Sequence, residues 1–315
     1  MRLSFAKPLL AFALLAAGTG LAGATDLGKE LADEYREARS KGARSTLFTI
    51  DNDSLLLNRD DGFYSSGLKL EQQFVLPRAG GQLVYGWRIG QELYTASDIN
   101  LPPNQISPLD HPYAGWLYAG GYREEQRADG SFTRYGFDLG CLGPCAGGRP
   151  TQTALHRLIN QPLPQGWSSQ VKNELGLVLM ADVAPVRWTA GPGFDLTPVF
   201  RARLGNIHTD AAASLVMRLG QLDRPAAESS LFGFLRADAR LVGYNATLQG
   251  GAFSSDSPHT VDPKRLVGEL ELGAEWRSGS LGLRASVIRR GNEIKGLENA
   301  IGAQNFVRLQ FLYSP

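Results

Sequence analysis

The chain has 315 residues, 32 basic and 31 acidic, a formal net charge of +1, 37 glycines and only two cysteines. Charge this evenly balanced excludes nucleic acid as the main partner, because no basic excess is present to drive counterion release. The length suits either two ordinary domains or one large β domain, and no internal repeat or linker divides it.

Residues 1–24 read as a signal peptide. Arg2 and Lys7 give a basic start, Pro8 to Leu21 form an apolar stretch, and Ala22-Gly23-Ala24 supplies the small-residue cleavage pattern. The mature chain is expected to begin near Thr25, and in a bacterium it is periplasmic, outer-membrane or secreted. Residues 25–45 form an N-terminal helical arm. Leu27, Leu31, Tyr35 and Ala38 fall on one side of it, which predicts an amphipathic helix outside the main fold.

From Leu47 the apolar period changes to two. Leu68, Leu70 and Phe74 alternate with Lys69, Glu71 and Gln73. Leu270, Leu272 and Trp276 alternate with Glu269, Glu271 and Glu275, and Val307, Leu309 and Phe311 alternate with Arg308 and Gln310. Successive strand side chains point to opposite faces, so each strand has one apolar and one strongly polar face. A soluble sandwich and a transmembrane barrel both satisfy that pattern. About twelve candidate strands are present, centred near residues 51, 69, 88, 118, 136, 176, 199, 214, 236, 270, 285 and 309. Each is about ten residues long, as a tilted membrane strand requires. Trp and Tyr residues near strand ends (Tyr85, Trp87, Tyr94, Trp116, Tyr118, Trp188, Trp276, Tyr313) suggest an interfacial girdle. Strand number, length and aromatic placement favour the all-β, antiparallel transmembrane barrel. Residues 46–315 form that barrel, with a short helix in a long loop at 142–168.

That loop holds the features that interrupt the strand pattern. Cys141 and Cys145 are close enough to pair in an oxidising compartment. Thr151 to Ile159 reads as a short helix carrying His156. Of the other histidines, His111 precedes Pro112 at a strand start, while His208 and His259 read as solvated turn residues. Earlier, Asp51-Asn52-Asp53-Ser54 and Asp60-Asp61-Gly62 interrupt apolar runs with carboxylates and amides. Such groups either face water in the lumen or supply oxygen ligands to a hard cation. No Gly-x-Ser-x-Gly elbow, Walker loop or dinucleotide glycine pattern occurs.

Taken in order, these residues carry a resemblance. The matches are Asn52-Asp53, Asp61 with Tyr64-Ser65-Ser66-Gly67, the string Asp110-His111-Pro112-Tyr113-Ala114-Gly115-Trp116-Leu117-Tyr118, Gln152 with His156-Arg157-Leu158-Ile159, Gly166-Trp167, and Leu204-Gly205-Asn206. The chain resembles the outer-membrane lipid A 3′-O-deacylase family, the LpxR-like proteins, over nearly all of its mature length. The resemblance implies a twelve-stranded barrel and a Ca²⁺-dependent esterase site near the outer surface, between barrel wall and loop helix. It implies catalytic roles for His156, Asn52, Asp53 and Ser65, with His156 activating water, and a calcium site at Asp53, Ser65 and Gly67. Lipopolysaccharide is the implied substrate, and a monomer in the outer membrane the implied state. Three departures stand out. His111 occupies a place where the family usually has Arg. The run Asn160-Gln161-Pro162-Leu163-Pro164 has no acid where some members have Glu, and Ala96 to Asp110 contains no Lys or Arg for lipid phosphates. A non-catalytic structural or binding barrel and an outer-membrane phospholipase are the rival readings. A porin fits least well, because charged side chains from many strands would fill the lumen.

Overall fold

The computed structural model describes residues 21–53, 62–222, 224 and 228–315, with side chains from Asp26 onward. Most of the expected signal segment, and Ser54, Asp60 and Asp61, lie outside the described residues.

Twelve antiparallel strands close into a barrel. They are β1 (Ala43–Asn52), β2 (Phe63–Arg78), β3 (Gly81–Thr95), β4 (Ala114–Arg127), β5 (Phe132–Leu142), β6 (Glu174–Ala184), β7 (Phe194–Gly205), β8 (His208–Gly220), β9 (Ser230–Asn245), β10 (Leu266–Ser278), β11 (Leu281–Arg290) and β12 (Gln304–Tyr313). A two-residue piece, Trp188–Thr189, pairs with the start of β7. Neighbours in sequence are neighbours in the sheet; β1 pairs with β12, and β6 pairs with β7. Every strand centre expected from the alternation lies inside one of these strands.

The two faces follow the alternation. Leu175, Leu204, Leu241, Leu272 and Trp276 are among the exposed apolar side chains, and they form the outer face. The lumen is packed with charge. Arg308 holds Asp51 through two hydrogen bonds of 2.7 Å across the β1–β12 seam. Arg88 pairs with Asp138 at 2.9 Å, Arg240 with Glu293 at 2.6 Å and Arg290 with Glu269 at 2.7 Å. Toward the long-loop end, Tyr64, Tyr94, Trp116, Tyr118 and Phe306 form an aromatic layer within the lumen. An apolar outer face over a polar, filled interior is the arrangement a lipid-embedded barrel requires.

Three sequence expectations are corrected by this parity. Trp116, Tyr118 and Tyr94 are buried in the lumen and form no girdle, whereas Trp87, Trp188, Trp276 and Tyr313 are exposed on the outer face. His208 opens β8 as a buried lumenal residue, not a solvated turn residue. His259 is part-buried, and its Nε2 donates to the Asp110 carbonyl at 2.8 Å.

The N-terminal helix α1 (Leu21–Lys41) runs without a break across the expected cleavage point and ends before residue 45, since β1 begins at Ala43. It is docked on the barrel. Ala38 and Tyr35 pack on Phe74, Leu76 and Leu83, residues of the outer faces of β2 and β3. Glu34 accepts from Arg123 Nε at 2.8 Å and from the Tyr85 hydroxyl at 2.9 Å. The helix therefore covers the outer wall at the end where the short turns and both strand termini lie, the periplasmic end of such a barrel.

Two outcomes are expected. Removing Arg308 leaves Asp51 charged, buried and uncompensated, so Arg308→Met should destabilise the barrel by about 3–5 kcal/mol. Pairing it with Asp51→Asn should recover much of that loss, as a double-mutant cycle in urea unfolding would measure. At α1, burial raises the Glu34 pKa, but the Arg123 guanidinium outweighs it and holds the carboxyl below its ordinary value. A depressed folded pKa gives stabilisation that is full above the ordinary glutamate range and lost as pH falls through the lowered value. Docking of α1, followed by Tyr35→Trp fluorescence, should hold at neutral pH and fail on acidification. The Glu34→Gln variant should lose this dependence.

Candidate functional site

The outer ends of β1 to β4 carry the polar residues singled out by sequence, and parity decides which side they face. Asp51 points into the lumen, so its neighbour Asn52, paired with Ser66, faces outward. At the start of β2 the register shifts: Tyr64 pairs with Tyr94 and Ser66 with Leu93, leaving Ser65 as a bulge. A bulge removes one residue from the ladder and re-aims its side chain. The Ser65 hydroxyl bonds the Thr95 hydroxyl at 2.6 Å, and the Ser65 carbonyl accepts the Asn52 side-chain amide at 3.2 Å. Asp53 stands one residue beyond β1, buried, and accepts the Gly62 N–H at 2.9 Å. Phe63, the first residue of β2, has φ of 64°. That left-handed conformation is costly for a bulky residue and is held by packing on Leu248, Val261 and Ile294.

Gly67 lies one step further in. It pairs with Asp51 and Glu92, so its carbonyl belongs to the ladder. A Cβ there would stand 2.0 Å from the Tyr64 hydroxyl, which accounts for glycine at this position. Tyr64 in turn donates to Asp51 at 3.0 Å. Gly67 thus serves the lumenal side, while Asn52, Ser65 and Thr95 line the outer wall.

His156 arrives on helix α2 (Gly148–Leu158), whose Gly148, Gln152 and His156 form its buried stripe. The helix lies against the outside of the barrel. Gln91, on the outer face of β3, donates to the Ala146 carbonyl at 2.7 Å. A side chain at Gly148 would meet Trp167 at 2.5 Å and Leu93 at 3.0 Å, so glycine permits the close approach. Gln152 accepts from the Trp167 indole at 2.9 Å. Trp167 packs with Leu93, Ala96 and Tyr113, meeting Tyr113 edge-on at 5.2 Å. Cys141 and Cys145 are bonded as a disulfide, which ties the end of β5 to the turn entering α2 rather than closing a hairpin tip.

The structure therefore joins Asn52, Asp53 and Ser65 directly on one rim. It brings His156 to the same wall through Thr95, Ala96, Trp167 and Gln152. The ring's Nδ1 lies 2.6 Å from the Pro162 carbonyl. A carbonyl can only accept, so Nδ1 carries a proton and donates it; in the neutral ring the lone pair is then on Nε2. His111 is fully buried, stacks on Tyr94 at 5.3 Å and bonds the Pro112 carbonyl at 2.6 Å. Burial lowers its pKa below the ordinary histidine value, which keeps this ring neutral.

Among the described residues, no three His, Cys, Asp or Glu side chains converge as metal ligands. The donors at the break in β1 and β2 are oxygens: the Asp53 carboxylate and the bulged Ser65 carbonyl. That chemistry suits a hard cation and excludes a soft-metal cage. Thr95 and Pro162 are the site residues that sequence reasoning missed. Thr95 looks like any strand threonine, and Pro162 acts through its main chain.

A family model described as outer membrane protein LpxR matches residues 9–314. No curated protein matches the chain in sequence. Among solved structures, LpxR from Salmonella typhimurium aligns with a TM-score of 0.70 at 22% identity, covering 86% of this chain and 100% of that one. The β domain of the Bordetella autotransporter BrkA gives 0.47 at 13% identity, covering 87% of this chain and 99% of that one. The translocator domain of NalP from Neisseria meningitidis gives 0.41 at 10% identity, covering 93% and 96%.

Trp167 is the pillar under α2. Trp167→Ala should cost about 3–5 kcal/mol of local stability. Hydrogen exchange should then accelerate across residues 148–158 while the β1–β12 seam stays protected. Equal loosening of both would mean that α2 and the barrel unfold as one unit.

Proposed function

Because the chain belongs to the LpxR family of outer-membrane proteins, we propose that it is an outer-membrane esterase that removes the ester-linked 3′-acyloxyacyl group from lipid A. The observation that carries this reading is the position of the site. Asn52, Ser65 and Thr95 face outward from the barrel, and the helix that carries His156, whose Nδ1 donates to a main-chain carbonyl, rests on the outside of the neighbouring strands β3 and β4. A site on the outer wall opens to the leaflet, where an acylated lipid can enter sideways. A lumenal site in this filled barrel would not.

In this reading His156 is the general base. Its Nε2 takes a proton from water, the water oxygen attacks the ester carbonyl, and the same nitrogen returns the proton to the departing sugar hydroxyl. The acyl chain leaves as the carboxylic acid, which then loses its proton to bulk water. Asp53 and the main-chain oxygen of Ser65 would hold Ca²⁺, with Gly67 the weakest of the three ligands because its carbonyl is in the ladder. A bound Ca²⁺ supplies fixed positive charge beside the carbonyl oxygen as negative charge develops there. Asn52 braces the bulge through the Ser65 carbonyl, which fixes the rim. The exposed Arg149 and Arg157 of α2 offer cations to the lipid phosphates, in place of the basic residues missing between Ala96 and Asp110. Residues 1–24 act as the export signal. The closed sheet leaves no edge strand to pair with another chain, which supports a monomer.

The test is deacylation of purified lipid A by refolded protein, with Ca²⁺ or with chelator. Wild type should release one ester-linked chain only with Ca²⁺. His156→Ala should lower the rate by a factor of about 10²–10⁴, and Asp53→Asn should raise the Ca²⁺ requirement. Release from glycerophospholipid micelles in preference to lipid A would favour the phospholipase. No release from either by folded protein would leave a non-catalytic barrel.

A further inference from the structure

The end of α2 has a construction that the reaction alone does not explain. The Ile159 N–H returns to the Leu155 carbonyl at 3.0 Å. Asn160 then takes a left-handed φ of 56°. The next amide, Gln161 N–H, donates to the carbonyl of His156 at 2.8 Å, and the next carbonyl, that of Pro162, meets His156 Nδ1 at 2.6 Å. One turn of chain thus grips the same histidine twice, once by its main chain and once by its ring.

The residue types suit this geometry. Asparagine is among the few residues other than glycine that enter the left-handed region at modest cost. Proline at 162 fixes its own φ and offers no N–H, and it restricts Gln161 to extended conformations. Proline at 164 restricts Leu163 in the same way. The turn has few conformations to lose on folding, so the carbonyl is held in place at low entropic cost. No acidic side chain occurs from Asn160 to Pro164. The carbonyl occupies the orienting position at Nδ1 that a carboxylate fills in many histidine-based sites.

We propose that the Asn160–Pro162 turn is the positioning element of the active site: the left-handed Asn160 delivers the Pro162 carbonyl to His156 Nδ1, fixing the tautomer and the direction of Nε2. This rests on the reading of His156 as the base. Asn160 is a positioning residue and touches neither water nor ester.

The test compares full-length refolded wild type with Asn160→Gly, Asn160→Val and His156→Ala, by lipid A deacylation kinetics and by ¹⁵N spectra of histidine-labelled protein. The chain has four histidines, so the His156→Ala spectrum assigns the resonance. Wild type should show His156 protonated at Nδ1. Asn160→Gly, which keeps the left-handed turn, should retain that tautomer and a kcat within about twofold, the scale of an undisturbed geometry. Asn160→Val, whose β-branched side chain resists the turn, should lose the Nδ1–H signature. Its kcat should fall by about 10- to 100-fold with KM nearly unchanged. Protonation at Nε2 in wild type, or an Asn160→Val protein with wild-type kcat and spectrum, would overturn the proposal. If Asn160→Val does not fold, Pro162→Ala replaces it. That change keeps the carbonyl but frees the turn, and a fall in kcat reversed by neither substrate nor Ca²⁺ is expected, with unchanged kcat counting against the proposal. Full activity in His156→Ala would instead remove the base assignment, while the spectra would still report on the turn.

Discussion

A strand in a closed membrane barrel meets two surroundings at once, and the two-residue period of its side chains must satisfy both. Lipid on one side accepts only apolar groups, and every charge must therefore be turned inward and neutralised there. Arg308 against Asp51 does this at the seam where the first and last strands join. Arg88 with Asp138 and Arg290 with Glu269 repeat it around the wall. Buried pairs of this kind gain little over apolar packing but punish any shift that separates them. Their effect is to hold register, since a slip by one residue would place arginines in lipid and leucines among carboxylates.

The site departs from that rule in one place. The bulge at Ser65 puts one residue outside the alternation, so two consecutive serines turn to the outer wall. The wall can tolerate polar groups there because α2 covers it. The helix, its Trp167 pillar and the disulfide at its entrance give the outward-facing oxygens a second side and shield them from hydrocarbon. Polar groups are thereby placed on the outer wall, away from the interior that the ion pairs fill.

Much of this was legible in the sequence, because alternation is a local signal. The strands, their number and the amphipathic stripe of α1 all follow from spacing. Asn52, Asp53 and His156 stood out because polar groups interrupt apolar runs or lie in a long loop, while Ser65 and the roles of all four came from the family resemblance. What was not legible depends on absolute facing and on main-chain atoms. Spacing says that Trp116 and Tyr118, two residues apart, share one face of the strand, but not that this face is the lumenal one. It does not say that His208 is buried, because a turn of two residues leaves it on the wall. The docking of α1 needs Glu34 to find Arg123, 89 residues away. The carbonyl of Pro162 has no side-chain signature at all.

Helix α1 and helix α2 lie on the same sector of the barrel. The first covers Phe74, Leu76 and Leu83 at the inner end of β2 and β3, and the second rests on Gln91, Leu93 and Gly115 at the outer end of β3 and β4. Between them, the greasy band available to lipid is narrower than on the opposite wall, where among the described residues no long helix rests on the outer faces of β7 to β11. A bilayer answers unequal band heights by tilting the protein or thinning locally, at a cost of fractions of a kcal/mol per Å. Either response shortens the hydrocarbon beside α2. Lipids packed against that sector then meet a thinner hydrocarbon layer than those on the opposite wall.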